Sequence, residues 1–223
     1  MFVGHFAVGF ASKRAAPRTS LGVLLAAPLL LDLLWPIFLL LGLEHVAIVP
    51  GITKVVPLDL HDYPYTHSLA GALVWSLLFA GGYFAVARDR AAAIVVGLGV
   101  FSHWILDFVT HRPDMPLYPG STTSVGLGLW YSLPGTLAVE FALFGAGVWI
   151  YATTTRAKNR KGAIGFWVFA ALLAVMYLAS VFGPPPPSPR AIAFAGLSAW
   201  LMLPLAWWID RNRALVGVAA AKM

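Results

Sequence analysis

The sequence predicts an all-α protein, a polytopic membrane helical bundle of about six transmembrane helices with a short N-terminal helix that dips into the bilayer. Three observations carry that expectation. Of the 223 residues 60% are hydrophobic and only 11% charged, with a mean hydropathy of +0.80, whereas soluble domains average about 45–50% and about 25%. The apolar residues gather into six runs, each close to the ~20 residues that cross ~30 Å of hydrocarbon. The basic residues, finally, are sorted between alternate loops, which is how membrane orientation is written in a sequence. The chain 1–223 reads as one integral membrane domain, with no internal repeat and no separate soluble domain.

Taken in order, Phe2–Ser12 ends at Lys13-Arg14 and is interrupted by Gly4, His5 and Gly9. No cationic lead precedes it, so it is not expected to be a signal peptide. It is expected to enter the membrane from the cytoplasmic side and pack against the bundle, where protein covers its end. The six spans are expected at Leu21–Leu43, Ser68–Ala87, Ala91–Phe108, Leu133–Thr153, Ala163–Phe182 and Ala191–Ile209. In the first, Pro36 has no N–H for the carbonyl of Asp32, which predicts a kink beside a carboxylate. Glu44–His67 and His111–Ser132 are long loops on one side, and Arg88-Asp89-Arg90 is a short one on the other. Pro184–Pro187 is expected to be a stiff extended connector.

An even number of spans puts both termini on the same side. With that side cytoplasmic, the inner loops hold Lys13, Arg14, Arg18, Arg88, Arg90, Arg156, Lys158, Arg160, Lys161, Arg211, Arg213 and Lys222. Only Lys54, Arg112 and Arg190 of the 15 basic residues are then left outside. The net charge of +6 is thus topological, and no nucleic-acid partner is expected. The absence of cysteine excludes disulfides and thiolate metal sites, so any metal must be held by His, carboxylate or backbone oxygen.

The acids and histidines are sorted in the opposite sense. All six histidines and seven of the nine acids fall in the membrane or on the outer side; Asp89 and Asp210 sit with arginines at the inner face. Asp32, His103, Asp107 and Glu140 lie inside apolar spans. A charge there costs at least about 2.5–3.5 kcal/mol, so such a residue is a functional candidate by default. At ~1.5 Å per residue, His5 lies ~12 Å, Asp32 ~18 Å, His103 ~20 Å and Asp107 ~25 Å from the inner face, with Glu140 ~10 Å below the outer one. The depths overlap, so these groups can converge. The three spans within 133–209 are largely scaffold by comparison with residues 1–120.

His103, Asp107 and His111 are spaced i, i+4, i+8 and rise along one helical face. An imidazole and a carboxylate one turn apart suit Zn²⁺ or another divalent transition metal; the alternative is a His–Asp hydrogen bond that fixes helix packing. His67, in Thr66-His67-Ser68, stands at the outer start of the second span as a ligand, a general base or an ordinary interfacial histidine. His61 and Asp62 are candidates to orient a ligand from behind. Asp32 reads as a ligand. Glu140 is a ligand or base, or else hydrogen-bonds Trp130 or Tyr131. Arg112 is a candidate phosphate contact, or the partner of Asp114 in a turn.

Gly4-His5, Asp32 after a leucine-rich run, Thr66-His67-Ser68, and Ser102-His103 with Asp107 followed by Pro116-Leu117 together resemble the YdjM-like family over about the first 120 residues. That family consists of bacterial inner-membrane proteins described as metal-dependent hydrolases, distantly similar to zinc-dependent phospholipase C and P1 nuclease. The resemblance implies His5, Asp32, His67, His103 and Asp107 as metal ligands. The family's Asp-x-Asp-His is here Asp32-Leu33-Leu34-Trp35, and one His-x-x-x-Asp pair is present, which weighs against three metals.

The expected function is therefore a membrane-embedded, metal-dependent hydrolase of a phosphoester in a lipid or lipid-linked substrate, with His67 or Glu140 taking the proton. The site would open to the outer side of a bacterial inner membrane. The rival is a proton- or metal-coupled transporter using the same His/Asp set. Few ionisable groups lie between mid-membrane and the cytoplasm, which favours the enzyme.

Overall fold

The structure, a computed structural model, describes residues 1–216; Lys222, counted above among the inner cations, lies outside the described residues. The helices are α1 (Val3–Ala15), α2 (Leu21–Leu40), α3 (Leu69–Ala87), α4 (Arg90–Thr110), α5 (Leu133–Thr154), α6 (Arg160–Phe182), α7 (Pro189–Leu197) and α8 (Met202–Arg211). A 3-10 turn at Ser198–Leu201 joins α7 to α8, so Pro189–Arg211 forms a single span. With α2 to α6 it completes six helices long and apolar enough to cross a membrane. Most starts are fixed locally: Ser20, Ser68, Asp89, Ser132, Asn159 and Ser188 each accept a hydrogen bond from the backbone N–H three residues on, the usual helix N-cap.

The expected spans are present, with shifted ends. The first closes at Leu40 rather than Leu43, because Gly42 turns the chain with φ +68°, a conformation that glycine adopts freely. α2 continues as helix through Pro28 and Pro36. Pro28 cannot donate to the carbonyl of Leu24, and α1 packs against that spot: a Cβ on Gly9 would lie 2.8 Å from the Leu24 oxygen. Pro184 to Ser188 is non-helical, as expected of the connector.

The connecting segments differ from expectation by forming short antiparallel strand pairs. β1 (His45–Ile48) pairs with β2 (Leu58–Asp62), β3 (Met115–Pro116) with β4 (Ser124–Val125), and β5 (Thr155–Ala157) with β6 (Arg213–Leu215). The first follows from a β-branched run on either side of Pro50-Gly51, with Val46 and Leu60 turned inward. The first two hairpins mark one end of the bundle, the hairpin end. The third pair joins strands on either side of α6 to α8 and closes the basic end. There Arg213 binds the Thr155 hydroxyl at 2.8 Å and the Gly162 carbonyl at 2.9 Å, its guanidinium 4.7 Å from the centre of the Phe166 ring.

α1 runs through the middle of the bundle, packed on α5, α2 and α4, and buries Val3, His5, Phe6 and Phe10. Gly147 of α5 permits that approach: a Cβ there would lie 2.6 Å from the Ala7 Cα, the close backbone contact that small residues give membrane helices. Lys13, at the far end of α1, is tied to Asp210 at 2.7 Å. One core joins Phe10, Leu21, Leu25, Phe144, Phe166 and Phe169 across α1, α2, α5 and α6. A second lies between α2, α3 and α4. α3 is peripheral and turns Leu73, Val74, Leu77 and Leu78 outward, as a lipid-facing helix does.

Candidate metal centre

Four elements deliver five side chains to one place. His5 comes from α1, Asp32 from α2, His67 from the turn before α3, and His103 and Asp107 from successive turns of α4. His5, His103 and Asp107 form one group able to hold a metal ion and Asp32, His67 and His103 another, with His103 common to both. All but Asp32 are buried; the Asp32 side chain is 41% exposed.

The hydrogen bonds behind the rings decide what faces the centre. His103 Nδ1 lies 2.7 Å from the carbonyl oxygen of Pro28, which can only accept, so Nδ1 carries a proton and Nε2 is the nitrogen turned to the centre. His67 Nδ1 lies 2.7 Å from the Thr66 hydroxyl, whose own proton goes to Glu44 at 2.7 Å. His67 Nδ1 is therefore the donor, and its Nε2 likewise faces the centre. These two Nε2 atoms are 3.3 Å apart. In the neutral tautomers both atoms carry lone pairs, which one cation would bridge.

The carboxylates complete the arrangement. Asp32 Oδ1 is 3.5 Å from His67 Nε2 and 3.8 Å from His103 Nε2. Asp107 Oδ2 is 2.9 Å from His103 Nε2 and 3.9 Å from His67 Nε2. Ligands about 2.0–2.1 Å from a tetrahedral Zn²⁺ stand about 3.3–3.4 Å from one another, so the donor set fits a small divalent ion. His5 stands to the side. Its Nε2 is 3.0 Å from Asp107 Oδ1, its ring stacks on His103 with centroids 3.9 Å apart, and its buried Nδ1 has no partner. The Met1 nitrogen also binds Asp107.

His111, placed by the same helical stripe, has Nε2 3.7 Å from Asp107 Oδ2. Its Nδ1 is 3.1 Å from Asp114 Oδ1 and 3.2 Å from the Tyr63 hydroxyl, which itself donates to Asp114 at 3.1 Å. The Trp130 ring covers the imidazole, centroids 4.1 Å apart. Burial lowers the pKa of His111 below the ordinary imidazole value and raises that of Tyr63. A neutral imidazole oriented by a carboxylate, with its free nitrogen toward the cluster, has the form of a general base.

The other sequence candidates lie elsewhere. Glu140 accepts from the backbone N–H of Phe2 at 2.7 Å and of Gly4 at 2.8 Å. It holds the start of α1 with both oxygens and bonds neither Trp130 nor Tyr131. His61 and Asp62 are on the surface strand β2, near Asp59 and paired with His45 respectively, away from the cluster. Arg112 is bound by Asp59 and Asp114, the paired alternative rather than a free phosphate contact. Sequence reasoning passed over Glu44, which is 1% exposed and takes hydrogen bonds from the Tyr65 and Thr66 N–H groups at 2.8 Å besides the Thr66 hydroxyl. Its buried position 22 residues from Thr66 has no mark in the sequence.

A cavity of about 880 Å³ opens beside the cluster, with Asp32, His67, Asp107 and His111 on its wall. Among the described residues, Lys54 is its one Lys or Arg side chain. α6 and the sixth span, expected as scaffold, form the opposite wall.

Fold and site together define a multi-pass membrane protein built around a His/Asp group that could hold a metal. The chain belongs to the YdjM inner membrane protein family, which it matches over residues 1–183. No curated protein and no solved structure matches it.

Proposed function

We propose that this protein is a membrane-embedded, metal-dependent hydrolase that cleaves a phosphoester in a lipid or lipid-linked substrate, with the hairpin end facing outward. The observation that carries the reading is the pair of opposed imidazole Nε2 atoms, 3.3 Å apart, flanked by Asp32 and Asp107. His67, His103, Asp32 and Asp107 would hold the ion, zinc or another divalent metal, with His5 bracing Asp107 through its second oxygen. A bound divalent ion supplies charge for a phosphoryl oxygen and acidifies a coordinated water toward a pKa of ~7.

The protein's own groups then divide the work. His111 Nε2 takes the proton of the attacking water as its oxygen bonds to phosphorus. The ester P–O bond breaks, and the lipid alkoxide leaves as the alcohol after taking a proton from solvent. His67 and Glu140 are poor bases here, since His67 turns its lone pair to the cluster and Glu140 is spent on α1. Lys54 is the group best placed to meet the anionic headgroup at the mouth. Toward the basic end the core is filled by Phe10, Phe144, Phe166 and Phe169. That apolar plug favours a one-sided enzyme over a transporter.

The test is metal analysis of protein purified without chelators, followed by phosphate release from a panel of phospholipids and polyprenyl phosphates. About one equivalent of metal and turnover abolished by chelation are expected; metal-free protein sinks the reading, and uptake without turnover supports the transporter. Glu44→Gln should disturb the Thr66–His67 alignment and weaken metal binding about 10–100-fold, the usual effect of losing an outer partner. Equilibrium dialysis against Zn²⁺ reads this, and unchanged affinity would mean that Glu44 only fastens the loop.

A further inference from the structure

α6 and the sixth span are consecutive in sequence, yet they part toward the hairpin end. α6 packs on α8, in the basic half of the sixth span, whereas α6 and α7 are not among the well-packed helix pairs. The space between them is continuous with the cavity that reaches Asp32 and His67: Met176 and Ser180 of α6 face it from one side, and Ile192, Ala195, Ala199 and Met202 from the other. Ser180 and Ala195 are exposed. From Ala191 to Met202 the cleft descends about 16 Å at helical rise, about half of a hydrocarbon core of ~30 Å. Its lining is apolar throughout that depth except for Ser180, Ser198 and the Tyr177 hydroxyl. Its deeper part adjoins the cluster, where the Trp200 indole of the sixth span donates to the Leu33 carbonyl beside Asp32 at 3.1 Å, and Lys54 lines the same cavity.

An apolar slot of this length would be of no use to a water-soluble phosphoester. The volume of the whole cavity lies within the ~300–1,000 Å³ of small-molecule sites, and its carboxylates and imidazoles all lie on the side of the candidate metal centre. Resting on the reading proposed above, we infer that the cleft between α6 and α7 is a lateral port that admits the hydrocarbon chain of the substrate from the adjoining leaflet. The chain lies along Ile192, Ala195 and Met202, and the phosphoester is thereby delivered to Asp32 and His67. Tyr177, stacked on Phe2 with centroids 5.9 Å apart, floors the port beside α1. Recognition is therefore of a membrane lipid with a long chain rather than of the headgroup alone.

The experiment fills the cleft. Ala195→Trp and Ser180→Trp each put an indole into open space, and neither touches the residues assigned to the metal or the base. Wild type and variants are reconstituted in phosphatidylcholine vesicles and compared on dioleoyl and dibutyryl phosphatidic acid. They are also photolabelled with a phosphatidic acid carrying a diazirine in its acyl chain. The variants should lose at least tenfold in kcat/KM on the dioleoyl lipid, keep the wild-type value on the dibutyryl one, and lose the label on α6 and α7 while keeping it on lipid-facing α3. Equal rates on both substrates, or an equal loss on both, overturns the port. If no protein releases phosphate, the hydrolase reading fails by itself. The photolabel still decides the port, because labelling of α6 and α7 that the indoles do not diminish refutes it.

Discussion

His103→Ala should abolish metal binding, with an affinity loss of at least about 100-fold, since even outer partners of a ligand are worth 10–100-fold. His103 is the one side chain common to both candidate ligand groups, and its Nε2 lies within 4 Å of His67, Asp32 and Asp107 alike. The wild type should lose thermal stability on chelation, because a ligand at about 100 times its Kd adds about 2.7 kcal/mol to the folded state. His103→Ala should be indifferent to chelator. The alanine also leaves a hole between α2 and α4 and frees the Pro28 carbonyl, so His103→Gln is the companion variant. A chelator-sensitive melting transition that persists in both variants would show that the ion sits elsewhere.

His111→Gln should do the reverse: metal content stays at the wild-type level while kcat falls about 10²–10⁴-fold, the range that general-base catalysis contributes. His111 stands beside the ligand set rather than in it, and its Nδ1 is already committed to Asp114. Asp114→Asn should cost less, because the imidazole keeps the cover of Trp130 and the Tyr63 hydroxyl. Titration of bound metal alongside single-turnover rates separates the two roles. Should His111→Gln turn over normally, His111 is not the base.

The spans were legible because lipid leaves a coarse record: a water-soluble fold seldom needs twenty apolar residues in a row between charged ends. The side chains of the cluster were legible for a related reason. Asp32, His103 and Asp107 are too costly in hydrocarbon to be incidental, and helical rise gives their depth directly. Depth gives no azimuth, however. Glu140 lies at a suitable depth yet turns both oxygens to the N–H groups of α1, and no sequence period specifies that. His61 and Asp62 adjoin His67 in sequence but sit on a strand that faces away. Glu44 was hidden for the complementary reason, since a polar residue in a polar loop attracts no notice until the loop folds over it. The hairpins had a readable signal in the β-branched residues around Pro50-Gly51, overshadowed by the surrounding helices.

The central position of α1 bears on biogenesis. Its hydrogen-bonding partners are remote in sequence: Asp107 lies 102 residues beyond His5, and Glu140 lies 138 beyond Phe2. At a translation rate of about 5–20 residues per second, roughly 7–30 s separate the synthesis of Phe2 from that of Glu140. During that interval the first helix has left the ribosome without the neighbours that seat it. The chamber is thus a product of late assembly: α1 is seated only when α5 joins the four helices before it, and the cavity gains its last wall when α6 and the sixth span follow.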